Sequence, residues 1–199
     1  STQQLQDAVD EWISDKGAAI DKYGEINTWD TSQITNMSRL FKGKTDFDSD
    51  ISNWDTSQVT NMAAMFADAS DFNKPLSTIG NKWDTSQVVD MTSMFSGAIS
   101  FNQDISSWNI AEVTNMDMMF ENTHALIAEN RASIYNSWAI NQENQVFIEA
   151  YNNPDWNPDY DGDGIPNIPP LDNYETNYTF LSTQQLQNAV DEWISDQGA

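Results

Sequence analysis

The chain has 199 residues, no cysteine, and 31 acidic against eight basic residues, for a formal net charge of −23. That charge repels phosphate backbones and anionic lipid, which argues against nucleic acid as a partner; without thiols, neither disulfide stapling nor a zinc-thiolate site is open to it. No apolar run approaches the ~18 residues of a membrane span, so no membrane insertion is expected, and the lack of a signal peptide or initiator Met reads as a piece of something longer.

In chain order, residues 1–28 read as an N-terminal capping helix and lead-in. Ser1 with Gln4 has the pattern of a capping box, and Leu5, Ala8, Val9, Trp12 and Ile13 form the stripe of an amphipathic helix.

Residues 29–122 repeat one phrase. "WDTSQITNM" at Trp29 returns as "WDTSQVTNM" at Trp54, "WDTSQVVDM" at Trp83 and "WNIAEVTNM" at Trp108, with spacings of 25, 29 and 25 residues. A fixed period is the mark of stacked repeats, and the longer spacing places a four-residue insertion in "NKPLSTIGNKW". Counting from each Trp, an aliphatic residue stands at +5, Met at +8, Leu or Met at +11 and Phe at +12. These offsets have helical spacing, so the pattern predicts a short helix with one apolar face. A second aromatic follows at Phe47, Phe72 and Phe101, then a short extended stretch such as Asp50-Ile51-Ser52. Each coil is therefore expected to run as a brief strand, a turn, a two-turn helix and a return. The expected architecture is an α/β repeat solenoid of four coils of about 25 residues, with helical caps at both ends.

No such coil can bury its own Trp, Met and Phe, whereas a stack gives each a like neighbour. The Met stripe is read as core rather than as a metal or peptide groove, because its spacing is helical. Thr31-Ser32, Thr56-Ser57 and Thr85-Ser86 are read as helix caps, as are Thr35 and Thr60. Asn36, Asn61, Asp90 and Asn115 should stack as a polar ladder serving turn backbones.

Phrases such as "FNQDISSWNIAEVTNM" and "WDTSQVTNMAAMF" resemble the repeat of the BspA-like surface proteins, a leucine-rich-repeat relative also found in repeat-rich Mycoplasma lipoproteins and marine microbial surface proteins. The resemblance covers roughly residues 20–120, and the lead-in "LQDAVDEWISDKGAAIDKYGEINTW" is similar to segments that open such arrays. It implies a leucine-rich-repeat-like extracellular solenoid with adhesive or binding roles, and it carries over no catalytic residue. The fourth copy departs from the phrase at Asn109-Ile110-Ala111-Glu112, as a terminal coil would.

Residues 123–153 read as C-terminal capping helices: Thr123 as N-cap of "HALIAENRASIYNSW", whose Leu126, Ile127, Ile134 and Trp138 are apolar, then "NQVFIEAYNN". Residues 154–181 form an acidic, Pro-rich linker. In it Asp159, Asp161 and Asp163 alternate, Gly164 permits a tight turn, Ile165 offers a carbonyl and Asn167 follows. Hard oxygen ligands in that alternation suit Ca²⁺, but Pro170 stands where an EF-hand needs its bidentate Glu. The segment looks like the thrombospondin type 3 class of calcium linker, with Asp172 as closing ligand two residues beyond the usual place. Asp155 and Asn157 extend the alternation upstream and offer ligands for a second ion, and the prolines would stiffen the bound linker.

Residues 182–199 repeat the opening. "STQQLQDAVDEWISDKGA" at Ser1 returns as "STQQLQNAVDEWISDQGA" at Ser182, with Asn188 for Asp7 and Gln197 for Lys16. This is read as the first helix of a following tandem module, with Leu186, Ala189, Val190, Trp193 and Ile194 as its assembly face.

For function, the expectation is a structural or adhesive tandem module of a large extracellular protein, at the cell surface or secreted, with Ca²⁺ stiffening its joints and neighbouring copies of the module as partners. The alternative is a binding module whose repeated outer face takes a glycan, a protein, or an ice or mineral surface through spaced Thr31, Thr56 and Thr85. No enzyme is expected: the single histidine, His124, adjoins a cap, and neither a phosphate loop nor a nucleophile motif is present.

Overall fold

The computed structural model describes residues 1–78, 83–151 and Trp156. Helix α1 (Thr2–Ser14), helix α2 (Lys16–Tyr23) and a 3-10 turn at Ile26–Thr28 precede the repeats. Helix α3 (Ala128–Tyr135), a π-helical segment at Asn136–Asn141 and helix α4 (Gln145–Tyr151) follow them. Among the described residues there is no strand and no sheet, and no helix lies inside the repeats. The α/β, leucine-rich-repeat-like solenoid expected from the sequence is therefore wrong: regular structure is helical, and it flanks four stacked coils built of turns.

Backbone conformation explains the missing helices. The residue ten places after each Trp is left-handed: Arg39, Ala64, Ser93 and Met118 have φ of 62°, 54°, 53° and 55°. Four residues later the chain is left-handed again, at Gly43, Asp68, Gly97 and Asn122. A right-handed helix cannot pass through either position. Consecutive tight turns result, in which Leu40 N donates to Met37 O, Lys42 N to Arg39 O and Lys44 N to Phe41 O.

The same turns explain the missing strands. The intervening amides point out of the coil and serve its neighbour: Met37 N, Arg39 N, Phe41 N and Gly43 N donate to Asn61 O, Ala63 O, Met65 O and Ala67 O. The set recurs between the second and third coils from Met62, Ala64, Phe66 and Asp68, and between the third and fourth from Met91, Ser93, Phe95 and Gly97. Neighbouring coils thus share a row of hydrogen bonds, but only at Asn36–Asn61, Asn61–Asp90 and Asp90–Asn115 does the backbone pair as a parallel bridge. One bridged residue per coil does not make a strand.

The apolar side chains of these turns point inward and stack on their own kind. Phe41, Phe66, Phe95 and Phe120 form one column with centroids 5.4, 5.5 and 5.9 Å apart. Phe47, Phe72 and Phe101 form a second at 5.7 and 6.2 Å. Seven of the eight methionines are buried at 1% exposure or less, as core packing requires, and Met118 alone stands out at 57% because it occupies the left-handed corner.

Polar columns lock the register. Asn36, Asn61, Asp90 and Asn115 each accept, through side-chain oxygen, the amide two residues on. A further column crosses coils: Asp48 accepts from Asn73 N, Asn73 from Asn102 N and Asn102 from Ile127 N, at 2.9 to 3.0 Å.

Candidate functional site at the ends of the stack

A row of stacked coils ends in unpaired backbone groups, which must meet water, a cap or another molecule. The first coil presents the carbonyls that correspond to the acceptors of the second. Helix α1 takes up two of the four, Asn36 O and Leu40 O. The sequence supplies its capping box, with Gln4 N on Ser1 Oγ and the Ser1 amino group on Gln4 Oε1, and its stripe buries Leu5, Ala8, Val9 and Trp12. Ile13, expected in that stripe, is 41% exposed.

Side chains of α1 then stand in for the missing coil. Thr2 Oγ1 donates to Asn36 O at 3.2 Å and Gln6 Nε2 to Leu40 O at 3.3 Å, one helical turn matching two residue pairs of the turn ladder. Trp12 Nε1 donates to Ser49 Oγ at 3.1 Å, and its ring meets Trp29 edge-on at 5.8 Å. Asp10 receives Lys44 Nζ at 2.6 Å, one of three ion pairs in the described residues. Glu11 lies below its ordinary range because Lys22 donates to it at 2.8 Å; this pair ties α2 back onto α1. None of Thr2, Gln6, Lys44 or Ser49 is marked as a contact by sequence pattern, since each looks like an ordinary exposed polar residue.

The far end is closed by another set of side chains. Phe120 N, whose counterparts donate to a following coil, donates to Tyr151 Oη at 3.3 Å, and burial pushes the Tyr151 phenol up to about 12. Gln142 accepts from Ile110 N and donates to Trp108 O, both at 2.8 Å. Asn144 Nδ2 donates to Ile110 O and Val113 O. Trp138 continues the Trp column 6.3 Å from Trp108. Thr123 is not the N-cap expected; α3 begins at Ala128 without a side-chain cap, and the Thr123 hydroxyl donates to Phe95 O instead.

The Thr residues assigned to helix caps, or to a flat binding ladder, do neither. Thr31, Thr56 and Thr85 are buried to 1% or less. Their hydroxyls donate across the stack to Asp55 O, Asp84 O and Asn109 O at 2.9, 2.7 and 2.9 Å. The fourth coil has Ile110 at this place, where no further coil offers a carbonyl. Beside Trp29 a cleft of about 560 Å³ is lined by residues including Asn27, Thr28, Asp30, Asn53 and Asp55. The Asn27 amide there is committed to Asp50 and Asn53 N.

The proposed calcium ligands Asp155, Asn157, Asp159, Asp161, Asp163, Ile165, Asn167 and Asp172 lie outside the described residues, as do Leu186, Ala189, Val190, Trp193 and Ile194. Within the described residues, no three acidic or histidine side chains group as a metal site, and no helix is long and apolar enough to cross a membrane.

A family model described as "Mycoplasma protein of unknown function, DUF285" matches residues 12–129 and, overlapping, 77–157. No curated protein and no solved structure matches. The match spans most of the chain, and the chain belongs to that family. This agrees with the resemblance to Mycoplasma repeat proteins read from the phrase itself.

Proposed function

We propose that this member of the DUF285 family is a structural tandem module of a larger extracellular or surface-borne repeat protein, a spacer or adhesive stalk whose joints are stiffened by calcium. The observation that carries the reading is the second copy of the α1 sequence, 181 residues after the first. In the first copy this sequence starts a stack by covering its carbonyl edge, so its return starts another. The intervening acidic segment, with Asp159, Asp161, Asp163, Asn167 and Asp172 as oxygen ligands and Ile165 offering its carbonyl, has the chemistry of a Ca²⁺ site, and Asp155 and Asn157 could serve a second ion. The net charge of −23 suits an environment rich in divalent cations.

Burial of Thr31, Thr56 and Thr85 removes the ladder that the alternative of an ice- or mineral-binding face requires, and favours the spacer reading.

The test is a two-module polypeptide measured by small-angle scattering and thermal melting, in calcium and then in chelator. Calcium should raise the melting temperature and lengthen the particle, and Asp159→Asn with Asp161→Asn and Asp163→Asn should abolish both responses. A particle whose dimensions and melting temperature ignore calcium would sink the stiffened-joint proposal.

A further inference from the structure

We infer that the first coil is a socket that accepts the α1-like helix of a neighbouring module, residues 182–199 of a second copy, in place of its own α1, so that copies join by helix exchange. The inference rests on the tandem-module reading and gives its joint a partner. Every contact that seats α1 is spelled again in the later segment. Thr183 stands for Thr2, which holds Asn36 O, and Gln187 for Gln6, which holds Leu40 O. Asp191 stands for Asp10, which pairs with Lys44, and Trp193 for Trp12, which donates to Ser49. Leu186, Ala189 and Val190 repeat the buried Leu5, Ala8 and Val9.

The two positions that differ are informative because of what they touch. Asp7, replaced by Asn188, is exposed and accepts only from Gln3 on its own helix. Lys16, replaced by Gln197, lies over the Trp12 ring at 4.7 Å and makes no ion pair with the coil. Neither difference falls on a residue that meets the first coil. Glu192 also repeats Glu11, whose partner Lys22 lies in α2 and stays with the socket when α1 leaves. The socket therefore cannot tell the two helices apart by any contact in the structure. Its own helix prevails at low concentration because it is tethered; a second copy's helix takes over when α1 is displaced.

Leu5→Asp with Val9→Asp in the full chain displaces α1 and leaves the later segment intact. This variant should show a weight-average mass that rises with concentration past the dimer in sedimentation equilibrium. Adding Leu186→Asp and Val190→Asp should return it to a monomer whose melting temperature is lower by roughly 10 °C or more. A variant that stays monomeric at all concentrations overturns the inference, whether it melts with the fourfold variant or above it, since the latter means docking within one chain. Should the substitutions unfold the first coil, an assay in the otherwise unaltered chain decides. A Lys44→Cys chain and an Asp191→Cys chain, mixed and treated with a short bismaleimide, should give a crosslinked pair, and its absence after prolonged incubation above room temperature overturns exchange. The calcium response of a two-module polypeptide is a separate readout, so failure of exchange leaves the tandem reading to its own test.

Discussion

Replacing Ala64 by glycine separates the turn-built coil from the helical coil by the sign of one number. In a helix interior, Ala→Gly costs about 1 kcal/mol. Ala64 has φ of 54°, and a left-handed conformation costs an L-residue roughly 1–2 kcal/mol that glycine escapes. Glycine brings its own penalty of roughly 0.5–1 kcal/mol from greater freedom in the unfolded chain. The Ala64 methyl is only partly buried, so little packing is lost. Ala64→Gly should therefore stabilise the protein by about 0.5–1 kcal/mol. Guanidinium unfolding monitored by tryptophan fluorescence would show a higher midpoint at unchanged slope. The reciprocal change tightens the argument. Gly97 has φ of 73°, and a Cβ there would lie 2.5 Å from Asp68 Oδ1, so Gly97→Ala should destabilise by more than 1 kcal/mol through conformation and contact together. Adding Asp68→Ala should recover the contact share alone. A lower midpoint for Ala64→Gly would refute the turn assignment and restore the helix.

Thr56 Oγ1 both donates to Asp84 O and accepts from Asp84 N, each at 2.7 Å, so Thr56→Val strands two partly buried backbone groups and should cost roughly 2–3 kcal/mol by chemical denaturation; Thr31→Val, which removes the 2.9 Å bond to Asp55 O, should destabilise in the same direction. Phe66 packs between Phe41 and Phe95, so Phe66→Ala should lose about 3–5 kcal/mol, and Phe120→Ala, at the 8% exposed end of the column, measurably less in the same assay. The folded state holds the Tyr151 phenol near 12 against an ordinary 10, so its neutral form is favoured on folding. That stabilisation is complete below pH 10 and is lost as pH rises from 10 to 12, an effect of order 2 kcal/mol that Tyr151→Phe should remove from the alkaline melting profile, at a cost of about 1 kcal/mol at neutral pH for the Phe120 N contact.

The parts of the fold that depend on one period were legible, and those that depend on conformation within the period were not. Trp, Met and Phe at fixed offsets name the buried columns correctly, because burial follows from stacking whatever the backbone does between them. The offsets +5, +8, +11 and +12 also fit a chain of tight turns, and apolar spacing alone cannot choose between turns and a helix. One signal could have chosen: at +14 the four coils carry Gly43, Asp68, Gly97 and Asn122, all residues that tolerate positive φ. At +10 the signal is absent, since Arg39, Ala64, Ser93 and Met118 share no such preference. The Thr hydroxyls were correctly expected to satisfy backbone groups, but those groups belong to the next coil, 24 or 28 residues away, beyond any local motif. At the ends the same division holds. Ser1 and Gln4 close a local box and are readable; Tyr151, Gln142 and Asn144 serve groups more than 30 residues distant and are not.

The outward-pointing amides have a consequence for how such a protein can change its length. Each interface between coils is written in backbone groups at the same four offsets, so any coil presents the same donors on one side and the same acceptors on the other. A duplication or loss of one repeat in the coding sequence therefore creates no new kind of junction; it only moves two familiar faces together. The second coil, four residues longer than its neighbours between Trp54 and Trp83, keeps all four bonds on either side, so the added length leaves the ladder unchanged. Slippage during replication can then vary reach in steps of one coil, while α1 on one side and Gln142, Asn144 and Tyr151 on the other close a stack of any length in the same way.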